Sequence, residues 1–145
     1  LQQLKLLISR YGWTRIFCRE TELLKMLDEP LKELVRSDGL PDADAAITSC
    51  ELLVARTGSI LLSAGQESGR TVSVYTPVHI CIAWTKQLVY DIREGLEFLQ
   101  DKYKNGLPSL ITLATGPSRT ADIEKTLVVG VHGPKEVYVF LIDTE

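Results

Sequence analysis

The chain has 145 residues, 45% of them hydrophobic, and a formal net charge of -3. This length suits one domain with a sizeable core, so we expect a single domain over residues 1–145. The 16 Lys and Arg residues are scattered, which argues against binding to DNA or RNA. The apolar runs are too short to span a membrane, and no signal peptide opens the sequence. We therefore expect a soluble, cytoplasmic protein, with further sequence upstream because the chain begins at Leu1 without a Met.

Three cysteines, Cys18, Cys50 and Cys81, are widely spaced and form no CxxC pair. This spacing indicates neither a disulfide framework nor a zinc or iron-sulfur site, and it predicts buried, reduced thiols. The two histidines have no acidic cluster around them. We therefore expect no bound metal and no cofactor.

The predicted elements begin with a helix, because apolar residues recur at helical spacing over residues 1–11 and Gly12 then ends the pattern. A short β-prone run covers residues 15–18. Helical spacing resumes at Thr21, but Pro30 cannot donate a hydrogen bond to the preceding turn. Pro30 therefore either kinks one helix or opens a second one, with Asp28 or Glu29 as its cap.

The middle of the chain alternates between strand and helix signals. Residues 45–48 predict a short buried strand, and residues 50–55 predict one or two helical turns. Residues 59–63 and 71–75 read as a hairpin around a Gly- and Ser-containing loop, and residues 78–84 as the next strand. Residues 86–100 carry the clearest helical pattern, with one apolar face. These elements predict an α/β layered domain.

The stretch from Ile111 to Pro134 concentrates polar groups after an apolar run. It reads as a strand, a tight turn at Gly116 and the first turn of a helix, with a final strand over residues 137–142. A helix N-terminus has free N–H groups that bind anions. Alternatively, Ser118 only caps that helix, and the negative charges of Asp122 and Glu124 interact favourably with the positive end of its dipole. The residues of the candidate anion site are Gly116, Ser118, Arg119 and Thr120.

Three blocks of this sequence resemble LUD-domain proteins, the lactate-utilisation family, and in particular its C-type members. They are GPSRTADIEKTLVVGVHGP at residues 116–134, AITSCE followed by ARTGS at residues 46–59, and PVHI at residues 77–80. The resemblance implies a mixed sheet covered by helices, similar to the NagB/RpiA/CoA-transferase-like fold. It also implies an accessory component of L-lactate oxidation to pyruvate that works beside iron-sulfur subunits. The alternative is a CoA-transferase-like or cyclo-ligase-like enzyme that binds an anionic small molecule.

One position departs from the pattern of the family. Arg56 stands where many LUD proteins have an acidic residue, and CoA-transferase-like enzymes use a glutamate nucleophile in a comparable turn. The arginine argues against an acyl-glutamate mechanism there. Glu51 is the nearest other carboxylate, and its simpler interpretation is a helix-surface or capping residue.

The two histidines complete the candidate site. His79 lies in an apolar run and is either a core residue or a base, whereas His132 lies in a His-Gly-Pro turn and could serve a carboxylate or phosphate ligand. Open α/β sheets bind ligands beyond the carboxyl ends of their strands, which indicates the loops after residues 48, 75, 84 and 115. Besides the four residues of the candidate anion site, the candidate ligand-binding residues are Thr57, Gly58, His79 and His132.

Overall fold

The structure, a computed structural model, describes residues 1–123 and 126–143, with only the backbone of residues 122 and 123. Its helices are α1 (Gln2–Tyr11), α2 (Thr21–Met26), α3 (Glu29–Lys32), α4 (Val72–Tyr75) and α5 (Ile92–Lys102). Its strands are β1 (Ile16–Phe17), β2 (Val35–Arg36), β3 (Ala45–Thr48), β4 (Leu52–Val54), β5 (Ser59–Ser63), β6 (Val78–Trp84), β7 (Leu88–Val89), β8 (Ile111–Ala114), β9 (Arg119–Ile123), β10 (Thr126–Val129) and β11 (Glu136–Ile142). None of the described helices is long and apolar enough to cross a membrane.

A five-stranded sheet, in the order β11-β6-β3-β1-β2, forms the centre of the fold, and all of its strands are parallel. The first three helices cover one face of this sheet. There, Ile47 and Ile80 are fully buried together with Leu4 of α1 and Leu23 of α2. This burial explains why β3 and β6 read as continuous apolar runs.

A second sheet, in the order β7-β4-β5-β8, packs against the other face of the first one. Cys81 and Ala83 of β6 contact Leu53, Ile60 and Leu62 of this sheet. On its outer side, Leu99 of α5 packs against the same sheet. The result is the layered α/β fold that the sequence predicted, with one wholly parallel sheet and one mixed sheet.

Several predicted elements are confirmed. The first helix ends at Gly12, whose left-handed φ of 67° suits a residue without Cβ. Pro30 lies in the first turn of α3, so it opens a separate helix and does not kink a longer one. The strands predicted at residues 45–48, 78–84 and 111–114 are present, and the final strand begins at Glu136. All three cysteines are buried and free.

Two predictions in the middle of the chain are wrong. Residues 50–55 contain no helix, because Leu52–Val54 form β4, and Val72–Tyr75 form the short helix α4 in place of the strand predicted at residues 71–75. The partners of β5 are therefore β4 and β8. β4 is buried on both faces, so its sequence lacks the alternation that distinguishes a strand from a buried helix.

The predicted helix over residues 86–100 starts six residues later than its pattern suggested. The Asp91 carboxylate accepts a hydrogen bond from the N–H of Arg93 at 3.2 Å, and the Glu94 carboxylate accepts one from the N–H of Asp91 at 3.3 Å. This capping box fixes the first turn at Ile92. Leu88 and Val89, which match the helical spacing, form β7 beside β4.

The predicted helix after Ser118 is also wrong, because Arg119–Ile123 form strand β9, antiparallel to β10. Glu124, which was expected in the first turn of that helix, lies outside the described residues. Five of the nine residues of the two strands are β-branched, and β-branched side chains favour extended backbone. The anion site predicted at a helix N-terminus therefore loses its structural basis, since this segment offers no row of free helical N–H groups.

Candidate functional site

A cavity of about 700 Å³ lies beyond the carboxyl ends of three parallel strands. Glu20 follows β1, Ser49 and Glu51 follow β3, and Lys86 follows β6, and all four residues line the cavity. Two of the four loops indicated by the sequence, those after residues 48 and 84, therefore meet here. This is the position at which open α/β sheets bind ligands.

Glu51 is a buried, charged residue of the cavity wall. Its side chain is only 1% exposed. Oε1 accepts hydrogen bonds from the hydroxyls of Ser63 and Tyr103, both at 2.6 Å. Oε2 accepts one from Nζ of Lys102 at 2.6 Å. Burial alone would raise the pKa of Glu51, but the bonds from Lys102, Ser63 and Tyr103 outweigh it and hold that pKa below its ordinary value. Glu51 is therefore a fixed, buried anion, and its interpretation as a helix-surface or capping residue is wrong.

Two glycines allow the partners of Glu51 to reach it. A Cβ at Gly65 would lie 2.5 Å from the hydroxyl oxygen of Tyr103, so only glycine leaves room for that ring. A Cβ at Gly95 would lie 3.1 Å from a methyl group of Leu61, which shows how closely α5 approaches β5. This close packing brings the end of α5 to the cavity.

Lys102 is the fixed cation of the site. Its Nζ lies 6.0 Å from the ring centroid of Phe98 and 5.2 Å from that of Tyr103, within the range of cation–π attraction. Burial opposes the charge of Lys102, but the Glu51 carboxylate outweighs that effect and raises the pKa of the lysine. Because the side chain remains 45% exposed, the ammonium group bonded to Glu51 is also open to the cavity.

The remaining polar residues of the wall are held by backbone contacts. The Glu20 carboxylate accepts a hydrogen bond from the N–H of Ser49 at 3.0 Å. The Gln66 side chain accepts one from the N–H of Ser63 at 3.0 Å and donates one to the hydroxyl of Ser49 at 3.2 Å. The Gln87 amide donates to the carbonyl of Cys50 at 2.6 Å. The cavity thus presents carboxylates, the Lys102 ammonium group and the Ser49 hydroxyl in fixed positions.

The residues selected from the sequence lie mostly elsewhere. Thr57 is part of the β4–β5 turn, where its hydroxyl bonds that of Ser59 at 2.7 Å, and Ser59 in turn bonds Thr115 at 2.7 Å. Gly58 follows in the same turn with a φ of 65°. The hydroxyl chain connects this turn to the segment that leads to Gly116. Nothing in these contacts tests ligand binding by Thr57 or Gly58, which stays a prediction.

Ser118 and the loop of His132 are joined by backbone hydrogen bonds. The N–H of Ser118 donates to the carbonyl of Pro134 at 2.9 Å, and its carbonyl accepts from the N–H of Gly130 at 2.9 Å. His132 lines a second cavity of about 430 Å³ with Lys135, next to the start of β6. The backbone of Ser118 thus contacts residues on both sides of His132 in the chain, and ligand binding by Ser118 and His132 stays a prediction.

Arg119 and Thr120 belong to β9, opposite Val129 and Val128 of β10, and Arg119 is exposed. Gly116 follows β8 with a φ of 102°. Anion binding by these three residues stays a prediction, now without a helix to support it.

His79 lies in the core between the two sheets and is 1% exposed. Its Nε2 is 2.8 Å from the hydroxyl of Thr48, and burial lowers its pKa to about 4. The imidazole is therefore neutral at pH 7. Neither of the two cavities described above is lined by His79.

The LUD-domain model matches residues 5–142 of this sequence. The chain belongs to the LUD-domain family. It is 36% identical over 104 residues to Lactate utilization protein C of Deinococcus radiodurans, covering 71% of this chain and 48% of that protein. It is also 36% identical over 104 residues to Lactate utilization protein C of Bacillus subtilis, covering 70% of this chain and 43% of that protein. The LUD domain described here thus spans less than half the length of these two relatives.

A solved structure shares the fold of this LUD domain. A crystal structure of a DUF162 family protein from Deinococcus radiodurans superimposes with a TM-score of 0.62 at 25% identity, over 90% of this chain and 75% of that one. Within the LUD domain, Arg56 forms an ion pair with Asp91 at 2.7 Å. The structure therefore gives Arg56 the role of an ion-pair partner of Asp91.

Proposed function

We propose that this LUD domain is a component of L-lactate utilisation and that the cavity beside Glu51 binds a small 2-hydroxy acid. The relatives named Lactate utilization protein C support the pathway. The observation that carries the site is Lys102, an ammonium group fixed by a buried carboxylate and open to a 700 Å³ cavity. A 2-hydroxy acid carries one anionic group and one hydroxyl donor, and this wall offers partners for both.

The charges of the cavity divide the binding roles. Four glutamates and two lysines line the cavity, and the two lysines, Lys102 and Lys86, would hold the carboxylate of the ligand. Glu20 lies on the same lining with one oxygen bonded to the N–H of Ser49, and its second oxygen would accept the hydroxyl proton of the ligand. Charge-assisted hydrogen bonds of this kind are stronger than neutral ones.

The cavity is large enough to hold a second group beside the small acid. Oxidation of lactate to pyruvate removes two electrons and two protons. In this proposal the two electrons pass to iron-sulfur clusters of partner subunits, as the family resemblance implies, and the two protons are released to solvent. Cavities of about 300 to 1,000 Å³ hold drug-sized ligands, so a three-carbon acid leaves room for a second group. Neighbouring genes for cysteine-rich iron-sulfur proteins would support this assignment.

The enzyme alternative, acyl transfer through Glu51, has less support. All three hydrogen bonds to Glu51 engage its oxygens, and a carboxylate stabilised in this way is a weak nucleophile. Its side chain is also almost inaccessible, at 1% exposure. Mass spectrometry after incubation with an acyl-CoA distinguishes the two functions, because only acyl transfer would leave a trapped adduct on Glu51.

Titration calorimetry with L-lactate tests the proposed site, with propionate as the ligand that lacks the hydroxyl. We expect Lys102→Met to weaken L-lactate binding by on the order of tenfold, since a hydrogen bond to a charged group contributes about 1.5 to 3 kcal/mol before screening by solvent. Lys104→Met is the matched control, because Lys104 is exposed in the same segment and does not line the cavity. If Lys102→Met unfolds the domain, Lys86→Met provides the same test, because Lys86 is the other lysine that lines the cavity.

Chemical-shift mapping locates the ligand independently. Shifts induced by L-lactate in the segments around Ser49, Glu51 and Lys86 would support the proposal. Shifts confined to residues 116–120 and to His132 would instead place the ligand in the second cavity and contradict it.

A further inference from the structure

Strand β11 is an edge strand with little protection. It is hydrogen-bonded to β6 along Glu136–Ile142, and no other strand of the described residues pairs with its free side. Natural proteins protect such edges with short strands, Lys, Pro or bulges. β11 has seven residues in unbroken register with β6, and its only charged residue is Glu136 at the first position. Its backbone groups are therefore available for pairing with another strand.

The side chains of β11 are apolar where the second sheet no longer covers them. Val137 packs against the second sheet at the start of the strand, but Val139 and Leu141 on the same face are 46% and 49% exposed. On the opposite face, Tyr138 and Phe140 are partly buried against the helix layer. The β11 edge therefore exposes apolar side chains that extend the core between the two sheets and the core under the helices.

We propose that β11 pairs antiparallel with β11 of a second copy of this chain, about a twofold axis at Val139. The two five-stranded sheets then form one sheet of ten strands. Val139 meets its own copy at the axis, Val137 meets Leu141, and Tyr138 meets Phe140. Each of these five residues therefore faces an apolar residue on the same side of the sheet, so both cores continue across the interface, and Glu136 lies opposite Ile142 at each end.

The charges at the two ends of the strand select this register. Centring the axis on Val139 places Lys135 opposite Asp143, and the twofold axis makes that ion pair twice. A shift by one residue in one direction would oppose Glu136 and Asp143, and like charges directly opposite each other destabilise a sheet. A one-residue shift also places the helix-covered face of one copy beside the second-sheet face of the other.

Mass measurement by light scattering on the full chain tests the proposal. We expect the native chain to have the mass of two copies at micromolar concentration. Val139→Lys places two ammonium groups opposite each other at the axis, so this variant should have the mass of one copy. Val139 is exposed within one copy, so the variant should fold, which far-UV circular dichroism checks. Leu96→Lys is the matched control, because Leu96 of α5 is 43% exposed and lies outside the interface.

A charge reversal tests the register. Lys135→Asp alone places two aspartates together at each end and should raise the dimer dissociation constant on the order of tenfold. The double variant Lys135→Asp, Asp143→Lys restores opposite charges and should recover native dimerisation.

Disulfide trapping gives a third measurement. Opposite residues of an antiparallel pair have Cα atoms about 4.5 to 5.5 Å apart, within the range that a disulfide spans. Val139→Cys should therefore cross-link two copies under mild oxidation, whereas Leu96→Cys should not, and the three native cysteines are buried. A monomeric native chain, a dimer unaffected by Val139→Lys, or a charge reversal that fails to rescue the single variant would each overturn the proposal.

Discussion

Replacing Glu51 by Gln tests whether the buried carboxylate organises the cavity wall. Glutamine keeps the size of the side chain and one acceptor oxygen, so the hydroxyls of Ser63 and Tyr103 can still donate to it. Their bonds then become neutral, which loses about 1 kcal/mol each, because bonds to charged groups contribute about 1.5 to 3 kcal/mol and neutral ones about 0.5 to 1.5 kcal/mol. The amide nitrogen meets Lys102 in place of Oε2, so two donors face each other.

The loss of the ion pair is limited by solvent. Lys102 is 45% exposed and can turn toward water, so we assign about 1 kcal/mol to the lost pair and not the value of a fully buried one. The free energy of unfolding should therefore fall by about 3 kcal/mol at pH 7. Urea denaturation followed by tryptophan fluorescence measures this change. Glu22→Gln is the control, since Glu22 is 79% exposed and its loss should cost less than about 0.5 kcal/mol.

The pH dependence provides the sharper check. The folded chain holds the pKa of Glu51 below its unfolded value, so the unfolded chain takes up a proton first as the pH falls. The stabilisation is fully present above the unfolded pKa of about 4.3 and is lost as the pH falls through the folded pKa. The difference between the native chain and Glu51→Gln should therefore shrink below that pH. A difference that is smaller than about 0.5 kcal/mol at pH 7, or that does not change down to pH 3, would refute the reasoning.

Two further predictions concern the core and the cavity wall. Burial lowers the pKa of His79 from 6.5 to about 4, so the unfolded chain takes up a proton in this window and the folded chain does not. Stability should fall by about 1.4 kcal/mol per pH unit below pH 6.5, and urea denaturation of His79→Gln should show a smaller slope above pH 4.5. Gly65→Ala should cost about 1 to 3 kcal/mol by displacing Tyr103 from Glu51. In a Tyr103→Ala background that cost should disappear, and an equal cost in both backgrounds would show that Tyr103 is not the obstacle.

The sequence predicted those parts of the fold whose signals are local. The end of α1 at Gly12 and the start of α3 around Pro30 follow from the backbone chemistry of single residues. β3 and β6 are buried in a parallel sheet and read as continuous apolar runs. β4 gives the same signal, but it was interpreted as a helix because a three-residue apolar run contains too little periodicity to decide.

The helix predicted after Ser118 was wrong for a different reason, since this segment forms β9 of the β9–β10 hairpin. By local rules, Gly116, Ser118 and the acidic residues after them fit a capped helix. Local rules do not detect that a later segment of the chain pairs with these residues as a strand. Val128 lies opposite Thr120, and Val129 opposite Arg119. Strand pairing between these segments outweighs a cap, whose contribution is about 1 kcal/mol.

The cavity itself could be located only in part. The rule about carboxyl ends of strands indicated the loops after residues 48 and 84, and both line the cavity. The chemistry of Glu51 was hidden, because Ser63, Lys102 and Tyr103 are 12, 51 and 52 residues away along the chain. Pairing of β4 with β5 brings Ser63 beside Glu51, and the close packing of α5 on the second sheet at Gly95 brings Lys102 and Tyr103 there. No spacing rule connects Glu51 with positions 51 and 52 residues away.

The proposed cavity and the proposed dimer edge can be tested separately because β6 divides them. Val139 pairs with Cys81 in the middle of β6, whereas the cavity residues of this strand begin at Trp84. The two regions meet where the hydroxyl of Thr85 donates to the Asp143 carboxylate at 3.3 Å. A charge change at Val139 therefore acts on association without touching the cavity wall. Asp143, by contrast, connects the end of the dimer edge to the loop that presents Lys86, so variants at this residue report on both.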